Sequence, residues 1–147
     1  MQDTTQTPMA GNPVVEPNTQ AFLDELAAKG GPQIYELSVQ DARGVLCAAQ
    51  GGKVPKLPAD IEDRTIPEDA KGQVAIRIVR PQGSTGALPA VMYFHGGGWV
   101  LGDVKTHDRL IRETANGAHA AVVFVDYGRP PEARHPVAIE EAYAATK

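Results

Sequence analysis

The chain has 147 residues, 22% of them charged and 42% hydrophobic, with a formal net charge of -4 and an isoelectric point near 5.5. That length suffices for one core, burying about 70% of the surface the unfolded chain exposes, while the acidic balance excludes the basic footprint of a nucleic-acid or anionic-membrane binder. Cys47 stands alone, which excludes an internal disulfide, and no apolar run reaches the roughly 18 residues of a membrane span.

No basic-then-apolar leader pattern opens the chain and no internal repeat is visible, so a cytoplasmic location is expected. Met1 to Pro17, with its prolines and threonines and few large apolar groups, reads as a loose arm. From Asn18 the helical spacing of Phe22, Leu23 and Leu26 predicts a helix, with Asn18 or Thr19 as cap and Gly30 and Gly31 as stop. A second helix is predicted from Ser38, its cap, to about Ala49, before Gly51 and Gly52. On the residues alone, both helices simply cover apolar surface.

Lys53 to Asp60 is a proline-containing connector. Asp60 to Pro67 and Gln73 to Arg80 then alternate as strands, the second with Val74, Ile76 and Ile78 on one side and Ala75, Arg77 and Val79 on the other. They are expected to be antiparallel neighbours. Gln82 to Leu88 is a turn-rich loop, and Ala90 to Phe94 follows as an apolar run without polar alternation, the pattern of a fully buried strand.

Thr106 to Ala115 predicts a helix, capped by Thr106 or Asp103, with Leu110 and Ile111 inward and Gly117 just past its end. Ala120 to Val125 is a second apolar run, a parallel and doubly covered strand. Strand, helix, strand in this order reads as a right-handed crossover, hence an α/β fold of about four strands, mostly parallel after the first two. Gly128 to Pro136 is too rich in proline for regular structure, and Pro136 opens a last helix from Val137 to Thr146, with Ile139 and Tyr143 four apart.

The chemistry concentrates in the stretch between Phe94 and Asp103, where Gly96, Gly97 and Gly98 follow His95. Glycine loses more backbone freedom on ordering than any other residue, so such a run implies close approach to bare backbone. Phosphate cradles fail: the dinucleotide fingerprint needs glycine at Leu101, and the Walker pattern needs lysine at Asp103. Two readings remain, a tight structural turn and an oxyanion-stabilising loop of the α/β-hydrolase type, whose amides point at the oxygen that becomes negative in acyl transfer.

His95, Gly96, Gly97, Gly98 and Trp99, then Gly102, Asp103, His107 and Asp108, resemble the oxyanion loop of the hormone-sensitive-lipase-like family of α/β-hydrolase esterases. Asp126, Tyr127, Pro131, Glu132 and Pro136 resemble that family's DYRLAPE segment, although Gly128 stands where the pattern has arginine, Pro130 where it has alanine, and His135 where an aromatic is common. The resemblance implies residues 1–50 as arm and lid helices and residues 51–147 as the first half of the hydrolase core. It implies that two of the three glycines, the later pair favoured, donate to the oxyanion. His95 would orient the loop and Asp126, Tyr127 and Glu132 would support it. Trp99, Val100 and Leu101 would wall the substrate pocket or else only pack, and Phe22, Leu26 and Tyr35 become candidate lid contacts. No metal or organic cofactor is needed, and His107, His119 and His135 are too scattered for a zinc site.

The nucleophile is missing. The family needs serine on a G-x-S-x-G elbow, and neither Ser38 nor Ser84 is flanked by glycines at the required positions. The expectation is therefore the N-terminal portion of a serine carboxylesterase acting on small to medium acyl esters, inactive by itself, with the remaining C-terminal part as a further chain. The alternative is a hydrolase-like ligand-binding protein without catalysis.

Overall fold

The computed structural model describes residues 15–52, 54–68 and 72–147. The expected arm from Met1 to Pro17 lies mostly outside the described residues, as does Lys53 at the start of the connector. The chain divides into two units, Met1–Gln33 and Ile34–Lys147.

The first unit holds helix α1, Pro17–Lys29. Its cap is not Asn18 or Thr19 but Glu16, whose carboxylate accepts the Thr19 amide at 3.0 Å. Pro17 explains the shift: proline suits the first helical position, where no N–H is required, and so sets the start one residue earlier. Gly30, at φ 62°, ends the helix as expected.

In the second unit, α2 spans Val39–Gln50 with Ser38 as cap, its hydroxyl accepting the Asp41 amide at 3.1 Å. Strands β1 (Ala59–Glu68) and β2 (Gly72–Pro81) are antiparallel, with Ile66 opposite Val74. Strands β3 (Ala90–Phe94) and β4 (Ala121–Asp126) are parallel, with Phe94 opposite Val125. One four-stranded sheet results, in the order β1-β2-β4-β3, with β2 and β4 antiparallel.

Alternation along β2 and β4 feeds both faces of this sheet. On one face Val74, Ile76, Val125 and Tyr127 pack with Ala138 of helix α4, Val137–Ala144. On the other, Val79, Val122 and Phe124 pack with Ile111 and Ala115 of helix α3, Asp108–Ala118. The doubly covered strand read from Ala120 to Val125 is thus β4, where Val122, Phe124 and Val125 are fully buried.

The same expectation fails for β3, whose ends Ala90 and Phe94 are exposed and whose middle is half-buried. The two apolar runs look alike in sequence, but β4 lies inside the sheet and β3 at its edge. Helix α3 also starts two residues later and ends three later than expected. A turn bonded through Asp103 and Thr106 precedes it, Gly117 lies in its last turn, and His119 at φ 48° ends it. Its inward stripe is Asp108, Ile111 and Ala115, the spacing of one helical face. Leu110, one step round from that stripe, is exposed rather than inward. Helix α4 begins beside Pro136 as expected, buries Ala138, and leaves Ile139 and Tyr143 exposed on its outer side.

Candidate functional site: the glycine loop

The chain leaves β3 at Phe94 and turns at His95, which is 4% exposed. The His95 ring is stacked on Tyr127, centroids 4.3 Å apart and planes 4° apart, with Phe124 parallel to it at 5.4 Å. The Tyr127 hydroxyl donates to the His95 carbonyl. Nδ1 of His95 lies 2.8 Å from the Gly96 carbonyl, which only accepts, so Nδ1 carries the proton. Burial pushes this imidazole below its usual pKa, against the pull of the Gly96 carbonyl. Burial therefore favours the neutral imidazole. Its Nε2 finds no partner among the described residues, nor does Oδ1 of Asp126. Burial raises the Asp126 pKa, opposed by the nearby Arg129 charge.

Beyond His95, Gly97 adopts φ 127° and Gly98 φ 60°, left-handed conformations that side chains disfavour. A Cβ on Gly97 would lie 2.2 Å from the Leu101 carbonyl oxygen, whereas one on Gly98 or Gly96 would meet open space. The Gly97 carbonyl accepts from the amides of Val100 (3.2 Å) and Leu101 (2.8 Å), closing a turn that carries Trp99 at φ 67°. The amides of Gly97 and Gly98 have no acceptor among the described residues. Amides held in order yet unbonded suit an incoming anionic oxygen.

The loop borders two cavities of the second unit. One, of about 410 Å³, is lined by Leu46, Gly96, Gly97, Thr106, His107 and Leu110. The other, of about 400 Å³, is apolar, with Trp99, Pro130, Ala133, Pro136, Ala138 and Ile139 in its wall. Val100 and Leu101 are half-buried and line neither.

Residues 91–147 match the family described as having the alpha/beta hydrolase fold. The chain is 33% identical over 146 residues to a carboxylesterase of Mycobacterium tuberculosis, NlhH, covering 95% of this chain and 43% of that protein. A carboxylic ester hydrolase of the same organism, LipN, is 44% identical over 100 residues, 68% of this chain and 26% of that protein. The crystal structure of a thermostable esterase from Pseudomonas putida ECU1011 superimposes with a TM-score of 0.86 at 47% identity, over 93% of this chain and 43% of that one. The chain has the α/β-hydrolase fold. The resemblance to the hormone-sensitive-lipase-like esterases, read from His95 to Asp108 and from Asp126 to Pro136, is borne out. The chain spans less than half the length of these relatives.

Within this α/β-hydrolase chain the two motif segments meet. Tyr127 stacks under the glycine loop, and Arg129 donates to the Gly102 carbonyl. Asp103 accepts the amides of Lys105 (2.9 Å) and Thr106 (2.8 Å); burial would raise its pKa, but these bonds and Arg129 outweigh it and lower it. Glu132 forms a two-pronged pair with Arg43, at 2.8 and 3.0 Å, which brings its carboxyl down to about 2. Phe22 and Leu26 lie exposed on α1, in the other unit. Tyr35 is exposed in the second unit and lines neither cavity.

Arg43 and Arg129 escaped the sequence reading. A signal for Arg43 exists: Val39, Gln40, Leu46 and Cys47 occupy the positions three and four residues away, so this cation has no acid within helical reach. Its partner had to be distant.

Proposed function

We propose that this chain is the N-terminal part of a serine carboxylesterase, in which the Gly97 and Gly98 amides form the oxyanion hole for small to medium acyl esters. The observation that carries the reading is the pair of unbonded amides on left-handed glycines beside Trp99, in a chain similar to several esterases. Those relatives favour a catalyst over a bare ligand-binding protein.

In this reading a serine hydroxyl from the remaining C-terminal part attacks the ester carbonyl and gives up its proton to a base from the same part. The carbonyl oxygen becomes negative and accepts from Gly97 and Gly98. Collapse expels the alcohol, and water then releases the acid from the acyl-serine. The apolar cavity beside Trp99 and Ile139 has room for a short acyl chain. His95, Asp126, Tyr127 and Glu132 support the loop, and Val100 and Leu101 fix its turn. Phe22, Leu26 and Tyr35 are assigned to the cover over bound substrate. Edge strand β3, bare on one side in the sheet order, is where the remaining part would pair. An exposed, unpaired Cys47 fits a reducing cytoplasm.

The test uses the complete protein. It should hydrolyse p-nitrophenyl butyrate and take up a fluorophosphonate probe on serine. Replacing the Gly98 amide N–H by an ester oxygen through semisynthesis should lower kcat by about a hundredfold or more. Absence of both hydrolysis and labelling overturns the esterase reading, while unchanged kcat in the ester-linked protein removes Gly98 from the oxyanion hole.

A further inference from the structure

Helix α2 hydrogen-bonds to the glycine loop through Arg43. The Arg43 guanidinium donates from Nε to the Val100 carbonyl at 2.9 Å, from Nη2 to the Pro130 carbonyl at 2.9 Å, and from Nη1 and Nη2 to the two Glu132 oxygens. The bonds to the Val100 and Pro130 carbonyls are half-buried, whereas the Glu132 carboxylate is 64% exposed and meets water as well. Three acceptors from two loops converge on one planar fork. Only arginine supplies that geometry; a lysine ammonium is a single point with no fixed plane.

The Val100 anchor lies on the turn that the Gly97 carbonyl closes through the Val100 and Leu101 amides. The Val100 carbonyl shares a peptide plane with the Leu101 amide, which donates to the Gly97 carbonyl, so fixing it from outside steadies the Gly97–Gly98 peptide plane, which carries the Gly98 amide. Glycine cannot do this by itself, because it is the residue most free to swing. Glu132 then acts less on the loop than on Arg43: it accepts both terminal nitrogens and sets the plane of the fork.

We propose that Arg43 is a positioning residue that aims the Gly98 amide and ties α2 to the reaction at the loop. This rests on the esterase reading above. It touches no reacting atom, so its loss acts on the rate more than on substrate affinity. Misplacing a reacting group by about 1 Å costs on the order of a hundredfold in rate.

The experiment compares wild type, Arg43→Lys, Arg43→Met and Glu132→Gln in the complete protein. Expected for Arg43→Met is a fall in kcat of about ten- to hundredfold with KM within about twofold, and partial recovery on adding ethylguanidinium. Arg43→Lys should recover little, because charge without the fork does not reach three acceptors. Glu132→Gln should fall less than Arg43→Met, since the carbonyl anchors persist. Hydrogen exchange at the Val100 and Leu101 amides should quicken in Arg43→Met, a readout that needs no activity. A loss confined to KM, full recovery by lysine, or unchanged exchange overturns the proposal. An inactive wild type whose exchange still responds to Arg43 would fault the esterase reading and leave the loop anchor standing.

Discussion

The His95 imidazole lies flat on the Tyr127 phenol ring, 4.3 Å between centroids, while the Tyr127 hydroxyl donates back to the His95 carbonyl. Stacking and hydrogen bond together join the end of β3 to the chain leaving β4, just beneath the glycine loop. Tyr127→Phe keeps the ring and removes the donor, leaving a buried carbonyl unpaired. Urea unfolding should show a loss of about 1–2 kcal/mol with the transition otherwise intact. A change below a few tenths would mean that the hydroxyl is dispensable.

The glycines of the loop should separate in a thermal-melt series. Gly97→Ala combines a left-handed backbone with a Cβ pressed on the Leu101 carbonyl oxygen, so it should destabilise by about 3 kcal/mol or more. Gly98→Ala meets no neighbouring atom within 4 Å and should cost only the left-handed strain, about 1–2 kcal/mol. Equal losses for the two would contradict the geometry.

Asp126 sets a pH dependence. Burial raises its folded pKa above the usual 3.8, so the unfolded chain gives up this proton first, and the fold bears the cost of the buried charge once pH exceeds the folded value. Asp126→Asn should therefore melt higher than wild type at neutral pH. The advantage should shrink as pH falls through the folded value and vanish below 3.8. A variant that melts lower at neutral pH would show that the carboxylate earns its place through a favourable partner.

Asp108, on the inward face of α3, is 6% exposed and accepts from Lys56 at 2.6 Å and Arg112 at 3.0 Å. Burial alone would raise its pKa, but the Lys56 and Arg112 bonds bring it below the usual range. Asp108→Ala strands a cation against the helix and should cost about 3 kcal/mol by chemical denaturation. Lys56→Met should cost under about 1 kcal/mol, because that side chain is 44% exposed and Arg112 still pairs the carboxylate.

Amino-acid order alone determined most of the elements and the family resemblance. Period-two alternation marked β1 and β2, helical spacing and Ser38 marked α2, and the glycine run after His95 with the segment after Asp126 marked the family. All of these are local signals, set by backbone preference and by neighbours a few residues away. Tertiary structure decided what depends on distant partners. Ala90 to Phe94 and Ala121 to Val125 are equally apolar, yet sheet order alone made one an edge and the other a core strand. The face of α3 was fixed by what it packs on, which put Ile111 inside and Leu110 outside. Arg43 meets Val100 and Glu132 across 57 and 89 residues of sequence; no spacing rule spans such a distance, because folding, not chain proximity, brings those groups within hydrogen-bond reach.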